Sequence, residues 1–450
     1  MRLGRSNNPL PRLALMLIGA TMGMAALSWI WVQSHNSPAS FQPMDFLSSD
    51  LGRASQGTLE QVEELQDRLS ANPKDWQAYS QLGIAYLQFT RESADPAYYS
   101  KAEQAFHKAL DLEPEDYVAL GGLGALALAR HHFSEALEWG LRARQINPGR
   151  TYAYGVIADA QIELGQYKEA IETLQTMVDL RPDMSSYSRI SYLRELYGDT
   201  SGAVEIMQRA VDGGIPNMEN AAWTRTQLGN LFFNLGELDR SELEYRHTLK
   251  DHPRYPYAMA GIARVFAARG DDKEAIERLE LAIEVAPMPE FIILMAEINE
   301  ANGQIEAAQQ QYQLLGAIEK LFRVNGVDLD LEMALYKADH DIDLEDTLEE
   351  ARRGYRIRPS IYAADVVAWA LYKTGQCGEA QRFSKESLRL GTKDALKFFH
   401  AGMIAYCLGN LPAARLYLEE AVALNPYFSF RYAPLARQTL DQLGAISSKE

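Results

Sequence analysis

The stretch Tyr255–Pro287 reads YPYAMAGIARVFAARGDDKEAIERLELAIEVAP and contains one complete structural unit of the chain. Ile262, Ala263 and Phe266 fall at i, i+1 and i+4, so they share one side of a helix. Gly270 can adopt the left-handed conformation that ends such a helix. The pattern therefore predicts a first helix with one apolar stripe.

A second helix follows directly and completes a hairpin. Asp271 or Asp272 can cap its start, and Pro287 stops it. Its apolar stripe consists of Ala275, Leu279 and Ala282. Because alanine side chains are small, the two helices can approach closely. One such hairpin is too small to bury its own core, so it needs similar hairpins on both sides.

Prolines mark the copies of this hairpin along the chain. Pro114, Pro148, Pro182 and Pro216 are 34 residues apart, Pro253 follows after 37, and Pro287 after another 34. Pro359 and Pro426 follow after 72 and 67 residues, each close to two periods. A period of this length with small and aromatic positions is typical of a helical repeat protein.

The residues within each period resemble the tetratricopeptide repeat. Its pattern of Leu-Gly, aromatic, Ala, aromatic, Ala and Pro is matched by Leu82, Gly83, Tyr86, Ala102, Phe106, Ala109 and Pro114. Parts of it recur at Leu228, Gly229, Phe232, Tyr245 and Pro253, and at Ala401, Gly402, Ala405, Ala414, Leu418, Ala421 and Pro426. The resemblance implies an all-α, right-handed superhelix of about ten helix-turn-helix repeats.

The predicted organisation has seven segments. Residues 1–12 form a cytoplasmic N-terminus, 13–32 a transmembrane helix, 33–57 a flexible linker and 58–72 a capping helix. Residues 73–288 and 289–428 form the two parts of the repeat array, and 429–450 a C-terminal capping helix and tail. The division near residue 289 follows a slip in register and a long second helix that is predicted from Gln304 to about Val324.

The N-terminal segment predicts a membrane anchor. Residues 13–32 contain no charge and end near Trp29 and Trp31, and arginines precede them at positions 2, 5 and 12. Twenty apolar residues can cross a bilayer, and the positive flank stays on the cytoplasmic side. The repeats are therefore expected outside the cytoplasm, at the plasma (inner) membrane. A cleaved signal peptide, giving a secreted or periplasmic protein, is the alternative.

Charge and motifs exclude several function classes. The net charge of −17 and the lack of a Lys/Arg run argue against nucleic acid as a partner. The sequence predicts no catalytic residues, no resident metal site and no cofactor, because it lacks the spacings of known catalytic and metal motifs. Asp339, Asp341 and Asp343 imitate a calcium loop, but Leu344 stands where that loop requires Gly. An ion-binding receptor or enzyme that uses this acidic turn remains the alternative function.

The resemblance implies that the concave surface of the first (A) helices of the hairpins binds a protein or peptide partner. The second, fifth and ninth places of each repeat face that groove. The candidate partner-binding residues at these and neighbouring places are Tyr152, Asp159, Arg189, Asn230, Asn234, Arg264, Asp365 and Trp369. Relatives that clamp a C-terminal carboxylate use Lys and Asn, and only Asn230 matches such a place, so that specificity is not carried over.

Two cysteines lie towards the same edge of adjacent repeats. Cys377 falls in the turn of one hairpin and Cys407 near the end of the next A helix. They can form a disulfide if their Cα atoms come within about 7 Å in an oxidising compartment. Two separately packed thiols are the alternative.

Three stretches that carry larger or more polar side chains than the repeat requires extend the resemblance. Residues 191–197, 338–341 and 358–372 are similar to those of bacterial tetratricopeptide repeat proteins with an N-terminal membrane segment. The expected function is a membrane-anchored scaffold or adaptor for envelope assembly. A passive structural spacer is a further alternative.

Overall fold

The computed structural model describes residues 57–215 and 218–447, and the regular elements in these ranges are all α-helices. A single helix precedes ten helical hairpins and another single helix follows them. The first eleven helices are α1 (Thr58–Ala71), α2 (Trp76–Ser93), α3 (Ala97–Leu112), α4 (Tyr117–Ala129), α5 (Phe133–Ile146), α6 (Thr151–Glu163), α7 (Tyr167–Leu180), α8 (Met184–Leu196), α9 (Thr200–Asp212), α10 (Glu219–Asn234) and α11 (Leu238–Asp251). The others are α12 (Pro256–Arg269), α13 (Asp272–Val285), α14 (Pro289–Ala301), α15 (Ile305–Val324), α16 (Asp330–Asp339), α17 (Leu344–Ile357), α18 (Ile361–Lys373), α19 (Cys377–Ser387), α20 (Ala395–Cys407), α21 (Leu411–Leu424) and α22 (Tyr432–Ser447).

The quoted unit folds into the hairpin α12–α13. Pro256 occupies the first turn of α12, where its missing N–H costs nothing, and Gly270 ends the helix with a φ of 84°. Asp271 precedes α13 as expected, but its side chain makes no capping hydrogen bond. The alanines at 263, 275 and 282 are fully buried, so the two helices pack through their small residues.

Aromatic rings pack between successive hairpins. Tyr245 on α11 packs between Gly229 on α10 and Gly261 on α12, and a Cβ at either glycine would overlap its ring. Phe106 packs in the same way between Gly83 and Gly122. The repeat therefore needs a small residue on the A helix wherever the ring of a neighbouring second helix is inserted.

The fold departs from the simple repeat at two places. In the first hairpin, α2 has 18 residues and reaches Ser93. The long second helix near the middle of the array is α15, which has 20 residues and ends at Val324.

The predicted transmembrane helix, residues 13–32, lies outside the described residues. Within residues 57–215 and 218–447, none of the helices combines the length and the apolar character that crossing a membrane requires.

The solenoid closes on itself, which the sequence did not predict. We call α4–α11 the first arm and α15–α22 the second arm. The turn after α4 meets the turn after α15, where the Asp328 amide donates to the Arg130 carbonyl oxygen at 3.0 Å. The next turns meet where the Ile361 amide donates to the Tyr167 hydroxyl at 2.8 Å.

The same contact continues for two more repeats. The Thr392 hydroxyl donates to the Leu196 carbonyl oxygen, and the Asn425 side-chain amide donates to the Phe233 carbonyl oxygen at 2.9 Å. The partners in this series are separated by 192 to 198 residues. Four consecutive turns of the first arm therefore meet four consecutive turns of the second arm, and the A helices between them face the interior.

A glycine at this seam offers a direct test of the closure. Gly198 has a φ of 84°, and a Cβ there would overlap the Gly391 carbonyl oxygen of the other arm. Gly375 has a similar φ of 78° but open space around it. Gly198→Ala is expected to lower the free energy of unfolding by about 1–2 kcal/mol more than Gly375→Ala. Equal losses in urea unfolding would contradict the closed arrangement.

Candidate functional site

The structure places most of the predicted groove residues in the interior between the arms. Seven of them are at most 7% exposed, and Arg264 is half-buried. The seven are Tyr152, Asp159, Arg189, Asn230, Asn234, Asp365 and Trp369. The expectation that they line an open groove is corrected here, because the arms cover this part of the concave surface. In this conformation six of those seven side chains lie away from any open surface, and Asn230 lines the cavity described below.

Asp159 and Arg189 illustrate why these residues carry polar groups. The guanidinium of Arg189 on α8 donates to both carboxylate oxygens of Asp159 on α6, at 2.9 and 2.8 Å. It also donates to the hydroxyl of Ser185 at 2.6 Å. A bidentate pair of this kind satisfies charges that burial would otherwise leave without partners. The pair therefore stabilises the interior.

Arg358 joins the two arms through a second buried ionic cluster. Its guanidinium contacts Glu332 of the second arm and lies 3.6 Å from the carboxylate of Glu163 in the first arm. Burial raises the pKa of Glu163 to about 7, and burial lowers the pKa of neighbouring His131 to about 3. Arg358 is therefore the cation that Glu163 of the first arm and Glu332 of the second arm share.

Trp369 belongs to a third interior cluster. Its indole N–H donates to Asp339 at 2.7 Å, and its ring stacks on His400 at a centroid distance of 4.1 Å. The Nδ1 atom of His400 lies 2.9 Å from a carboxylate oxygen of Asp365. The indole, imidazole and carboxylate thus contact one another in the core.

One part of the concave surface stays accessible as a cavity of about 360 Å³. Its walls come from the A helices α10, α12, α14 and α16 and from the segment that leads into α22. Aromatic residues form much of the lining, namely Phe233, Tyr257, Phe291, Tyr336, Tyr427, Phe428, Phe430 and Tyr432. Its volume lies within the range of about 300–1,000 Å³ that is usual for ligand sites.

Arg264 on α12 brings a positive charge into this cavity. Its guanidinium lies 4.0 Å from the centre of the Phe233 ring, and its buried Nη2 atom has no hydrogen-bond partner within residues 57–215 and 218–447. Burial lowers the pKa of this guanidinium. A buried cationic donor without a partner is costly in free energy, so the site favours an added acceptor.

Carboxyl groups line the cavity on the next A helices. Glu290 on α14 is buried, its Oε1 atom has no hydrogen-bond partner in the described part of the chain, and burial raises its pKa well above the usual value. Burial and nearby Asp339 raise the pKa of Glu297 to about 8. His340 lies 3.8 Å from Glu297, and burial lowers its pKa. Both glutamates therefore hold their protons to a higher pH than an exposed glutamate does.

The cavity brings together two of the predicted groove residues, Asn230 and Arg264, and adds two that the prediction missed. Asn230, Arg264 and Glu297 occupy the ninth place of three consecutive repeats, and Glu290 occupies a second place. The same positional rule would have selected both glutamates. The segment from Pro426 to Arg437 carried no such signal, because it follows the last hairpin.

The acidic turn does not assemble a common site. Asp339 accepts hydrogen bonds from Trp369 and Tyr432, whereas Asp341 forms an ion pair with Lys373 at 2.7 Å. Asp343 precedes α17 without a side-chain capping bond. Within residues 57–215 and 218–447, no group of three or more His, Cys, Asp or Glu residues is arranged to hold a metal ion.

The two cysteines are bonded in the structure. Cys377 at the start of α19 and Cys407 at the end of α20 form a disulfide, and their Cα atoms are 6.3 Å apart. This covalent link joins adjacent repeats of the second arm, on the edge that the sequence indicated.

Comparisons with curated proteins return repeat proteins that are far longer than this chain. Cellulose synthase 1 operon protein C of Komagataeibacter xylinus is 26% identical over 209 residues, which are 46% of this chain and 13% of that protein. Human Superkiller complex protein 3 is 28% identical over 116 residues, which are 26% of this chain and 7% of that protein. The chain thus spans 13% or less of the length of these relatives.

Solved structures with similar folds are also distant in sequence. The human IFIT1 dimer with m7Gppp-AAAA has 15% identity and a TM-score of 0.47, over 73% of this chain and 76% of that one. A thermophilic tetratricopeptide repeat protein of Thermus thermophilus, TTC0263, has 20% identity and a TM-score of 0.37, over 45% of this chain and 99% of that one.

Ten hairpins that share one interior, with a cavity on their A helices, define an α-solenoid. Two family models described as tetratricopeptide repeat match residues 98–151 and 226–288, and residues 151–184. The chain therefore contains tetratricopeptide repeats over residues 98–184 and 226–288. Proteins built from this repeat are generally scaffolds for protein–protein interaction, and the fold is typically not that of an enzyme. The specific likeness to membrane-anchored bacterial members stays a prediction.

Proposed function

We propose that the protein is a scaffold that binds a peptide segment of a partner protein in the cavity around Arg264. The observation that carries this proposal is the unsatisfied guanidinium of Arg264 in a 360 Å³ cavity with aromatic walls. Peptide recognition by such grooves combines side-chain anchoring in apolar pockets with a few polar contacts. The cavity offers both kinds of contact.

We also propose that residues 13–32 anchor the scaffold in the plasma (inner) membrane with its repeats on the extracytoplasmic side. The uncharged run and its arginine-rich flank support this topology. The disulfide between Cys377 and Cys407 is consistent with an oxidising compartment. Tethering would keep the cavity at a high effective concentration for membrane-bound partners. Alkaline extraction of membranes should leave the full chain behind and release a chain that lacks residues 13–32.

Site-specific photocrosslinking in native membranes tests the binding role. A photoreactive residue at Tyr257, which lines the cavity, is expected to give a discrete crosslinked partner. The same residue at Leu281, an exposed position on α13, should not give it. The Arg264→Met variant should lose most of the crosslink, since the methionine keeps an apolar stem but removes the charge.

Arg254→Met is the matched control for that loss. Arg254 lies outside the cavity and its side chain is 74% exposed, so the crosslink from Tyr257 should persist in this variant. Equal crosslinking from Tyr257 and Leu281, or an undiminished crosslink in Arg264→Met, would contradict binding in the cavity. A chain that yields no partner from either position would be a passive spacer.

A further inference from the structure

A guanidinium and a carboxyl group line the same cavity, and among the described residues they do not form an ion pair with each other. The Nη2 atom of Arg264 and the Oε1 atom of Glu290 both lack hydrogen-bond partners in the described residues. They lie on consecutive A helices, α12 and α14, and both helices line the cavity. Arg264 rests on Phe233, whereas Glu290 is followed directly by Phe291.

Neither group is explained by the packing of the fold. Other buried charges of the interior have counterions in contact, as Arg189 does with Asp159 and Arg358 does with Glu332. In one cavity, a guanidinium and a carboxyl group that each have one atom without a partner among the described residues resemble two halves of a recognition site. A bound molecule can satisfy both atoms at once. A guanidinium favours a carboxylate, and a carboxyl group favours an amine.

We propose that the cavity recognises a carboxylate and an amine that flank an aromatic or branched apolar group. The carboxylate would pair with Arg264, the amine with Glu290, and the apolar group would fill the aromatic space between them. This chemistry occurs in a short free peptide, and equally in a protein segment with acidic and basic side chains around apolar residues. The inference rests on the proposed function, since it states what the same cavity selects.

Proton release should accompany this binding. Burial raises the pKa of Glu290 well above its usual value, whereas a bound amine favours the ionised form of this carboxyl group. Binding should therefore tighten as the pH rises through the range below the pKa of the ligand's own α-amine, which must stay charged. It should also release a proton that calorimetry in two buffers detects. The other charged or titratable groups that line the cavity are Arg264, Glu297, Asp339, His340, Arg437, Tyr257, Tyr336, Tyr427 and Tyr432. Ionisation of Glu297, whose pKa is about 8, acts in the same direction.

Calorimetry with the full chain in detergent micelles tests the proposal through four forms of one dipeptide. Phenylalanyl-leucine with free ends is the probe, and it is compared with its N-acetyl form, its C-terminal amide and the doubly blocked compound. Blocking either end is expected to weaken binding at least tenfold, since each end loses a charged partner. A blocked hexapeptide, acetyl-Gly-Lys-Phe-Leu-Glu-Gly-amide, presents the same groups on side chains. Tighter binding of the hexapeptide than of the dipeptide would identify a protein segment as the source.

Variants assign each end of the probe to its residue. Arg264→Met should abolish the difference between the free carboxylate and the amide, and Glu290→Gln should abolish the difference between the free amine and its acetyl form. The matched controls are Arg254→Met and Glu284→Gln, an exposed ion pair at 3.4 Å, and both should bind like the parent chain. Circular dichroism confirms that each variant is folded before titration.

Three outcomes separate this inference from the proposed function. If the N-acetyl dipeptide binds as well as the free form, the amine site is overturned. If neither the dipeptide nor the hexapeptide binds while the crosslink from Tyr257 persists, the inference fails and the scaffold role stands. If the dipeptide binds with the expected dependence on both ends but no partner crosslinks, the inference stands and the scaffold role fails.

Discussion

Replacing Arg358 with methionine is expected to lower the free energy of unfolding by about 3–5 kcal/mol, because it leaves two buried carboxyl groups without their cation. Glu332 is 4% exposed, and Glu163 reaches the same guanidinium from the other arm. Both glutamates would have to take up protons, and the aromatic contacts of Arg358 with Phe133 and Tyr362 would also change. The loss should therefore be larger than a surface ion pair can explain.

Urea unfolding measures the loss in the free energy of unfolding, and amide hydrogen exchange shows which parts of the chain lose protection. The loss of protection should concentrate in the turn between α6 and α7 and in the turn before α18, where the arms meet. Arg353→Met is the control, since Arg353 is half-exposed and pairs with Asp330 at 2.8 Å, and about 1 kcal/mol or less is expected there. Equal losses for the two variants would contradict a role of Arg358 in joining the arms.

The hairpins could be predicted because the information that forms them is local. The stripe of Ala275, Leu279 and Ala282, the terminating Gly270 and the recurring prolines all act within one repeat. The structure places helices where these signals indicated, and the long α15 ends at the predicted Val324. The sequence of each hairpin specifies its helices, and the neighbouring hairpins are copies of the same unit that pack against it.

The closure of the solenoid could not be predicted from the same signals. The seam depends on small rotations between successive hairpins, which add up over the separation of 192 to 198 residues between contacting turns. The contacts themselves use backbone carbonyls, such as those of Arg130 and Leu196, which carry no sequence signal. The positional rule for groove residues therefore found the concave surface but not the arm that covers it.

The polar character of the covered residues was nevertheless visible in the sequence. Asp159, Arg189, Asn230 and Asp365 occupy helix positions that face the concave side, where a surface role was the natural interpretation. Their partners could not be predicted, because Asp159 finds Arg189 in the next repeat and Asp365 finds His400 35 residues away. In the cavity, by contrast, Arg264 has no such partner among the described residues, and this is why we propose it as a binding residue.

The stability of the protein is expected to fall by about 2–4 kcal/mol between pH 5 and pH 8.5 through Glu195 alone. Burial, together with the nearby carboxylate of Asp394, raises the pKa of Glu195 to about 8. In the unfolded chain this carboxyl returns to the ordinary value of 4.5 for a glutamate. Between these two values the unfolded chain has lost the proton that the folded chain still holds. Unfolding therefore releases a proton, and rising pH favours the unfolded state until Glu195 ionises in the fold as well.

The Glu195→Gln variant should remove this slope. Glutamine has nearly the same shape and no proton to lose, so its unfolding free energy should exceed that of the parent at pH 8.5 and approach it at pH 5. Glu205→Gln is the matched control on the exposed face of α9, where its partner Arg209 is also exposed, and the parent slope should persist there. Urea unfolding at pH 5, 7 and 8.5 gives the three points needed. A Glu195→Gln profile parallel to that of the parent would mean that Glu195 is already ionised in the fold and that the interior between the arms is open to water.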